Sequence, residues 1–338
     1  MTDRVSYRDG IALQPKALEA SRQAVAGTLE RADLAPLRRG TVALVGIGAS
    51  LYAAEAGAAA MRGQGIRAFA LPGTDLYDPA VDAADAYVAI SASGRSVEPA
   101  QAIRIRPQAA SFGIANAAAT PLGEVARTMI ATASGPDSGP NTTSYVCALQ
   151  AIGLLADRAG RPSGADWAAL PAAAEAVLAA VAGPVAKASA LLAGRIAIDC
   201  VGAGIAHGTA GYAALLIREA VRVAAQGWDT LNFLHGPMEP NDERSGVILF
   251  GDGREVTLAQ DLAGFGIPSV LITTRQDLTE AKNLVVIPVP GAAAGLPGAI
   301  LQAIPAQLLI ADLAEAAGLP QCNFRYRQTD TKLPLQAA

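Results

Sequence analysis

Aromatic residues are scarce here. Phe, Trp and Tyr together make 4% of 338 residues, and alanine carries much of the apolar share. Small core side chains favour closely packed helices. Histidine is rarer, with two residues, which leaves little room for a zinc site, and no metal or cofactor is implied. Cys147, Cys200 and Cys322 lie far apart without metal-ligand spacing. An odd, sparse set fits buried free thiols in a reducing cytoplasm. No Lys/Arg block stands out and the formal net charge is −4, so nucleic acid is not an expected partner. The opening MTDRVSYRDGIALQP lacks the apolar core of a signal peptide. No run of about 18 apolar residues free of charge or glycine occurs, which argues against a membrane as partner. What is present is globular: 51% apolar, 17% charged, and length enough for two domains.

The first half contains TVALVGIG (Thr41 to Gly48), AYVAISAS (Ala86 to Ser93), SFGIAN (Ser111 to Asn116) and TMIATASG (Thr128 to Gly135). These runs are continuously apolar rather than alternating, the pattern of parallel strands buried on both faces. Helix-length alanine-rich segments between several of them complete βαβ units. The second half repeats the order with IAIDCVGAG (Ile196 to Gly204), SGVILFGDG (Ser245 to Gly253), PSVLITT (Pro268 to Thr274) and LVVIPVPG (Leu284 to Gly291). Gly46 pairs with Gly202 at an offset of 156, Met129 with Val285 at 156, and Gly94 with Gly253 at 159. The expected fold class is α/β, with two doubly wound, flavodoxin-like parallel sheets related by internal duplication. Expected divisions are a helical segment 1–40, a first domain 41–160, a linker and helix 161–190, a second domain 191–320 and a tail 321–338.

In such sheets ligands sit beyond the carboxyl ends of the strands, where helix N-termini point free N–H groups outward. Gly48 and Ser50 follow the first strand, and Ser91, Ala92, Ser93, Gly94 and Ser96 follow the second. Asn141 and Thr143 in PNTTSY form a third polar loop ahead of a helix. Glycine allows close backbone approach, and serine supplies a short neutral donor. Each loop alone is equally explained as helix capping. The three together suggest a cradle for a phosphate dianion.

SASGRS after a strand resembles the S-x-S-G-x-[ST] signature of the sugar isomerase (SIS) family. Two such units in one chain resemble the isomerase half of the glucosamine-6-phosphate synthases. GIALQPKAL (Gly10 to Leu18), VGIGAS and GPNTTSYVCALQ are similar to further segments of that family, as are AALLIREAVRV with FLHGPME and the C-terminal AIPAQLLIADLAEAAGLP. The resemblance implies a phosphorylated sugar or aminosugar as partner. It also implies a homodimer with sites near the subunit interface and cofactor-independent aldose–ketose isomerisation or aminosugar-phosphate deamination. It assigns Glu219 as the enolising base and His235, 16 residues further on, to ring opening from the neighbouring subunit. Lys332, in a tail that closes over the site, is the candidate Schiff-base former. The pattern also departs. Thr2 follows Met1 where the synthases carry the glutaminase cysteine, so glutamine hydrolysis is not expected. Leu216 and Arg218 replace two lysines, and Asn232 replaces a glutamate. The competing expectation is a sugar-phosphate-binding sensor that has lost catalysis.

Overall fold

The computed structural model of the chain describes residues 4–291, 294–326 and 328–335. Of the segments 1–40 and 321–338, residues 1–3, 327 and 336–338 lie outside it. The chain divides into two compact units that interleave along the sequence. The first holds residues 16–135, 143–168 and 326–338; the second holds 1–15, 136–142 and 169–325.

Each unit is built on one five-stranded, wholly parallel sheet. In the first, β1 (Thr41–Gly46), β2 (Arg67–Pro72), β3 (Ala86–Ile90), β4 (Ala110–Ala115) and β5 (Thr128–Ala131) lie in the order β2-β1-β3-β4-β5. In the second, β6 (Ala197–Gly202), β7 (Ala224–Asp229), β8 (Gly246–Phe250), β9 (Ser269–Thr273) and β10 (Leu284–Pro288) lie in the order β7-β6-β8-β9-β10. Read in chain order, both sheets are wound the same way. Central strands such as β3 (AYVAI) and β8 (GVILF) are buried throughout, as strands covered on both faces by helices must be. In the first unit Ala43, Val45, Tyr87, Ala89 and Ile103 form part of the core; in the second Val201, Leu249, Leu258, Leu262 and Leu271 do.

The sequence suggests four strands per half, and the structure has five. The additional ones, β2 and β7, are edge strands (RAFALP and AAQGWD) with mostly half-buried residues. Each pairs with a single neighbouring strand, and β7 carries no continuous apolar run.

The likeness of the two sheets extends to backbone detail. Gly48 and Gly204, at offset 156, have φ of 57° and 59° and each caps the helix that follows, Ala49–Gly63 or Ile205–Leu216. Two residues earlier, a Cβ on Gly46 would strike the Ser50 carbonyl, and one on Gly202 the Ala206 carbonyl. Both strand-to-helix turns therefore need glycine for the same steric reason.

The Leu296–Ala316 helix is long and apolar enough to cross a bilayer by length and composition. Its Ile300, Leu301, Ile304, Leu309 and Ile310 are instead buried within the second unit, as in a core helix.

Candidate functional site

In the first unit, the loop Ser91–Ser96 leaves the carboxyl end of β3 and enters the Val97–Arg104 helix, with Glu98 and Pro99 in its first turn. Carboxylate and proline both suit that position. Gly94 turns the loop with φ of 64°, its N–H donating to the Ser91 carbonyl at 2.8 Å, and a Cβ there would run into Thr120. Ser91 and Ser96 are buried, at 1% and 5% exposure, while Ser93 is exposed. Ser96 occupies the N-cap, yet its side chain makes no capping bond. Its Oγ instead accepts from the Ser91 hydroxyl at 3.2 Å, and its N–H donates to Ser91 Oγ at 3.3 Å. Capping therefore does not account for Ser96.

The tail supplies the rest of this arrangement. Lys332 forms an antiparallel bridge with Ser96, and its Nζ donates to Ser96 Oγ at 2.8 Å. Lys332 is exposed as a whole residue, while its bond to Ser96 is partly buried. That partial burial, foremost, holds the Lys332 pKa below its ordinary value; Glu98 opposes the shift and Arg95 adds to it. Ser50, half-buried, lies in the first turn of the Ala49–Gly63 helix behind Gly48.

The second unit has a different loop at the matching strand end. After β8 only Gly251–Gly253 precede the Arg254–Gly264 helix, and no hydroxyl is among them. Asp252 is held by the Thr273 hydroxyl at 2.6 Å and by the Thr274 N–H and hydroxyl, both at 2.7 Å. Those donors keep its carboxyl below the usual range against the opposing effect of burial. Glu255, 5% exposed, accepts from Thr230 Oγ1 at 2.5 Å, and its carboxylate fills the space beside Gly251. This strand end already contains two carboxylates.

Glu219, also in the second unit, sits in a π-helical turn, Ile217–Val221, that extends the Ile205–Leu216 helix and ends on Arg222 with φ of 64°. Such turns are frequent at functional sites. Ion pairing with a neighbouring arginine is the structural alternative for this residue. Arg218 instead donates to the Ala225 carbonyl at 3.3 Å and Arg222 to the Asn323 carbonyl at 3.1 Å. Burial alone pushes the Glu219 carboxyl up to about 7. Among its electrostatic neighbours is Tyr7, a buried phenol whose Oη has no hydrogen-bond partner among the described residues. Burial, then Cys322, Glu219 and Asp137, raise the Tyr7 pKa well above normal. His235 is exposed just beyond the short Thr230–Phe233 helix, ahead of Gly236 with φ of 125°. Leu216, standing for a lysine of the family pattern, is fully buried core.

The structure brings Ser91, Ser96 and Lys332 into one hydrogen-bonded group. Asn141 and Thr143 are held otherwise. Asn141 belongs to the second unit, where its Nδ2 donates to Asp137 at 3.2 Å and its carbonyl accepts from Tyr212 Oη at 2.5 Å. Thr143 is buried at the start of the Thr143–Ala159 helix of the first unit. Sequence reasoning missed Asp137, which accepts from the Thr142 N–H at 2.8 Å and hydroxyl at 2.7 Å and organises the 136–142 loop. The P-D-S-G-P-N run around it is a turn signal that could have found it. It also missed Tyr212, which accepts from Gln307 at 2.8 Å while Gln307 in turn accepts from Gln14. No pattern in the sequence marks that chain of contacts.

No protein-family model matches the chain. No curated protein sequence matches it either. Solved structures do match, and they define a class: the chain has the α/β fold found in sugar-phosphate isomerases and related enzymes. The C-terminal domain of glucosamine-fructose-6-phosphate aminotransferase from Francisella tularensis aligns over 92% of this chain and 96% of its own, with TM-score 0.79 and 16% identity. Glucosamine-6-phosphate deaminase from Thermotoga maritima aligns over 91% and 96%, with TM-score 0.71 and 17% identity. Tagatose-6-phosphate ketose/aldose isomerase from Escherichia coli aligns over 94% and 95%, with TM-score 0.71 and 18% identity. At these identities the likeness is one of fold, and the three names denote three different reactions.

Proposed function

We propose that the chain is a tandem SIS enzyme that isomerises a ketose or aldose phosphate, or deaminates an aminosugar phosphate, through an enediol-type intermediate. The observation that carries this reading is the buried serine pair on the β3 loop, with Ser96 at a helix N-cap but bonded to Ser91 and Lys332 rather than capping. Gly48, Ser50, Ser91, Ala92, Ser93, Gly94 and Ser96 then serve the phosphate, with Asn141 and Thr143 as further binding residues. Hydroxyl and N–H donors at a helix N-terminus suit a dianion. Glu219 takes the proton from the carbon beside the carbonyl and returns it to the adjacent carbon. A carboxylate whose pKa lies near neutrality suits both halves of that transfer. His235 assists ring opening, and Lys332 condenses with the open-chain carbonyl. The depressed pKa of its ammonium favours the amine needed for that step. The active assembly is a homodimer, and sedimentation of the purified protein tests that.

The decisive experiment is solvent deuterium incorporation, followed by NMR, into a panel of hexose and hexosamine 6-phosphates. Deuterium at the carbon beside the carbonyl, lost in Glu219→Gln, supports the reading and identifies the sugar. Tight phosphosugar binding without exchange in any sugar would establish a sensor. Neither binding nor exchange would refute the phosphosugar assignment.

A further inference from the structure

We propose that Arg95 is a positioning residue that clamps the tail at Leu333 and so keeps the Lys332 ammonium on Ser96. This rests on the assignment of the Ser91–Ser96 loop and Lys332 to the site. A polar chain end gains little from burial and loses conformational entropy when it docks, so it needs specific bonds to stay in place.

Among the described residues, four bonds between the tail and this loop region hold it. Leu333 N–H donates to the Arg95 carbonyl at 2.8 Å, and Arg95 Nε donates to the Leu333 carbonyl at 2.8 Å. Val97 N–H reaches the Thr331 carbonyl only at 3.4 Å. The fourth is the Lys332–Ser96 bond itself. Arg95 thus grips both polar groups of one tail residue, directly beside the lysine. Its guanidinium stays charged at every relevant pH, so the grip does not loosen when Lys332 loses its proton.

The arrangement also gives Ser96 a direction. Its Oγ accepts from Lys332 and from Ser91, which leaves its own O–H to donate outward, toward an anion. Two charged groups act on the lysine. Arg95 disfavours its ammonium form and Glu98 favours it.

The test uses the full chain without ligand. Hydrogen exchange read by mass spectrometry follows the tail amides. A second readout is the pH dependence of acylation at Lys332, one of four lysines with Lys16, Lys187 and Lys282, so its peptide is resolved. In Arg95→Ala the tail amides should exchange about tenfold faster, the scale of one lost charged hydrogen bond. The midpoint of Lys332 acylation should move to higher pH, because both the released ammonium and the missing cation favour the charged form. Leu333→Pro, which removes the N–H but keeps Arg95, should speed tail exchange likewise and serves if Arg95→Ala does not fold. Unchanged tail exchange and an unchanged acylation midpoint would overturn the proposal. Because no sugar is used, this result stands apart from the deuterium-incorporation experiment. A sugar panel that fails to bind refutes the site's function and leaves the clamp measured.

Discussion

The two sheets share one winding order, yet their matching strand ends have opposite chemistry. Beyond β3 lie buried serines and a lysine from the tail; beyond β8 lie the carboxylates of Asp252 and Glu255, already supplied with threonine donors. The first offers hydroxyl donors and a cation, and the second offers carboxylates. The turns after β1 and β6 kept the same glycines with the same positive φ. The two units therefore share this backbone geometry where their side chains differ.

The largest expected effect sharpens this contrast. Glu219→Gln should lower the deuterium-exchange rate by about 10²–10⁴-fold, the usual range for a lost general base, while phosphosugar affinity by calorimetry changes little. In the wild type the rate should rise with pH through about 7, as the carboxyl loses its proton.

The same residue predicts a stability effect. Its folded-state pKa is raised by burial, so the native protein binds the proton more tightly than the unfolded chain. Native stability therefore falls as pH rises from about 4.5 through 7. Relative to wild type, Glu219→Gln should gain up to about 3 kcal/mol between pH 4 and pH 8, checked by denaturant unfolding at both values. A gain in the opposite direction would contradict a carboxyl whose pKa burial raises.

A pair of variants compares the loops directly. Gly94→Ala places a side chain at φ of 64° and into Thr120, and should cost about 2–3 kcal/mol and abolish phosphate binding. Gly253→Ala has φ of −103° and meets only Glu255 at 3.6 Å, so its melting temperature should stay near wild type. The smallest effect concerns single polar groups. Ser96→Ala should weaken inorganic phosphate binding about tenfold, one hydrogen bond to a charged ligand. Asp252→Ala should leave that affinity unchanged and cost about 1 kcal/mol of stability. Equal loss of phosphate affinity in both would erase the contrast between the strand ends.

Legibility followed burial. β3 and β8 are buried from end to end, because both faces are covered, and β1 and β9 carry apolar runs bounded by Thr or Ser; all four could be read directly. β7 (AAQGWD) could not, since it carries no continuous apolar run, and β2 (RAFALP) has only a short one beside the alanine-rich Ala49–Gly63 helix. The serine loop was visible as a cluster of hydroxyls around a glycine. Glu219 was not distinguished by its neighbours in sequence, and only resemblance to the SIS pattern singled it out. Arg95 stood inside the quoted motif without a role, because its partner lies 238 positions away in the tail.

Taken alone, the sequence determined the doubly wound class and the glycine-bearing turns. Each follows from local pattern: which residues can be buried, and where a Cβ cannot fit. Tertiary structure decided what the polar residues do. It placed Lys332 on Ser96 rather than in solvent, and turned Arg218 and Arg222 to backbone carbonyls, away from ion pairing with Glu219. It also gave the 1–15 and 136–142 segments to the second unit. Hydrogen bonds and desolvation depend on which distant segments meet, and that information is absent from local spacing.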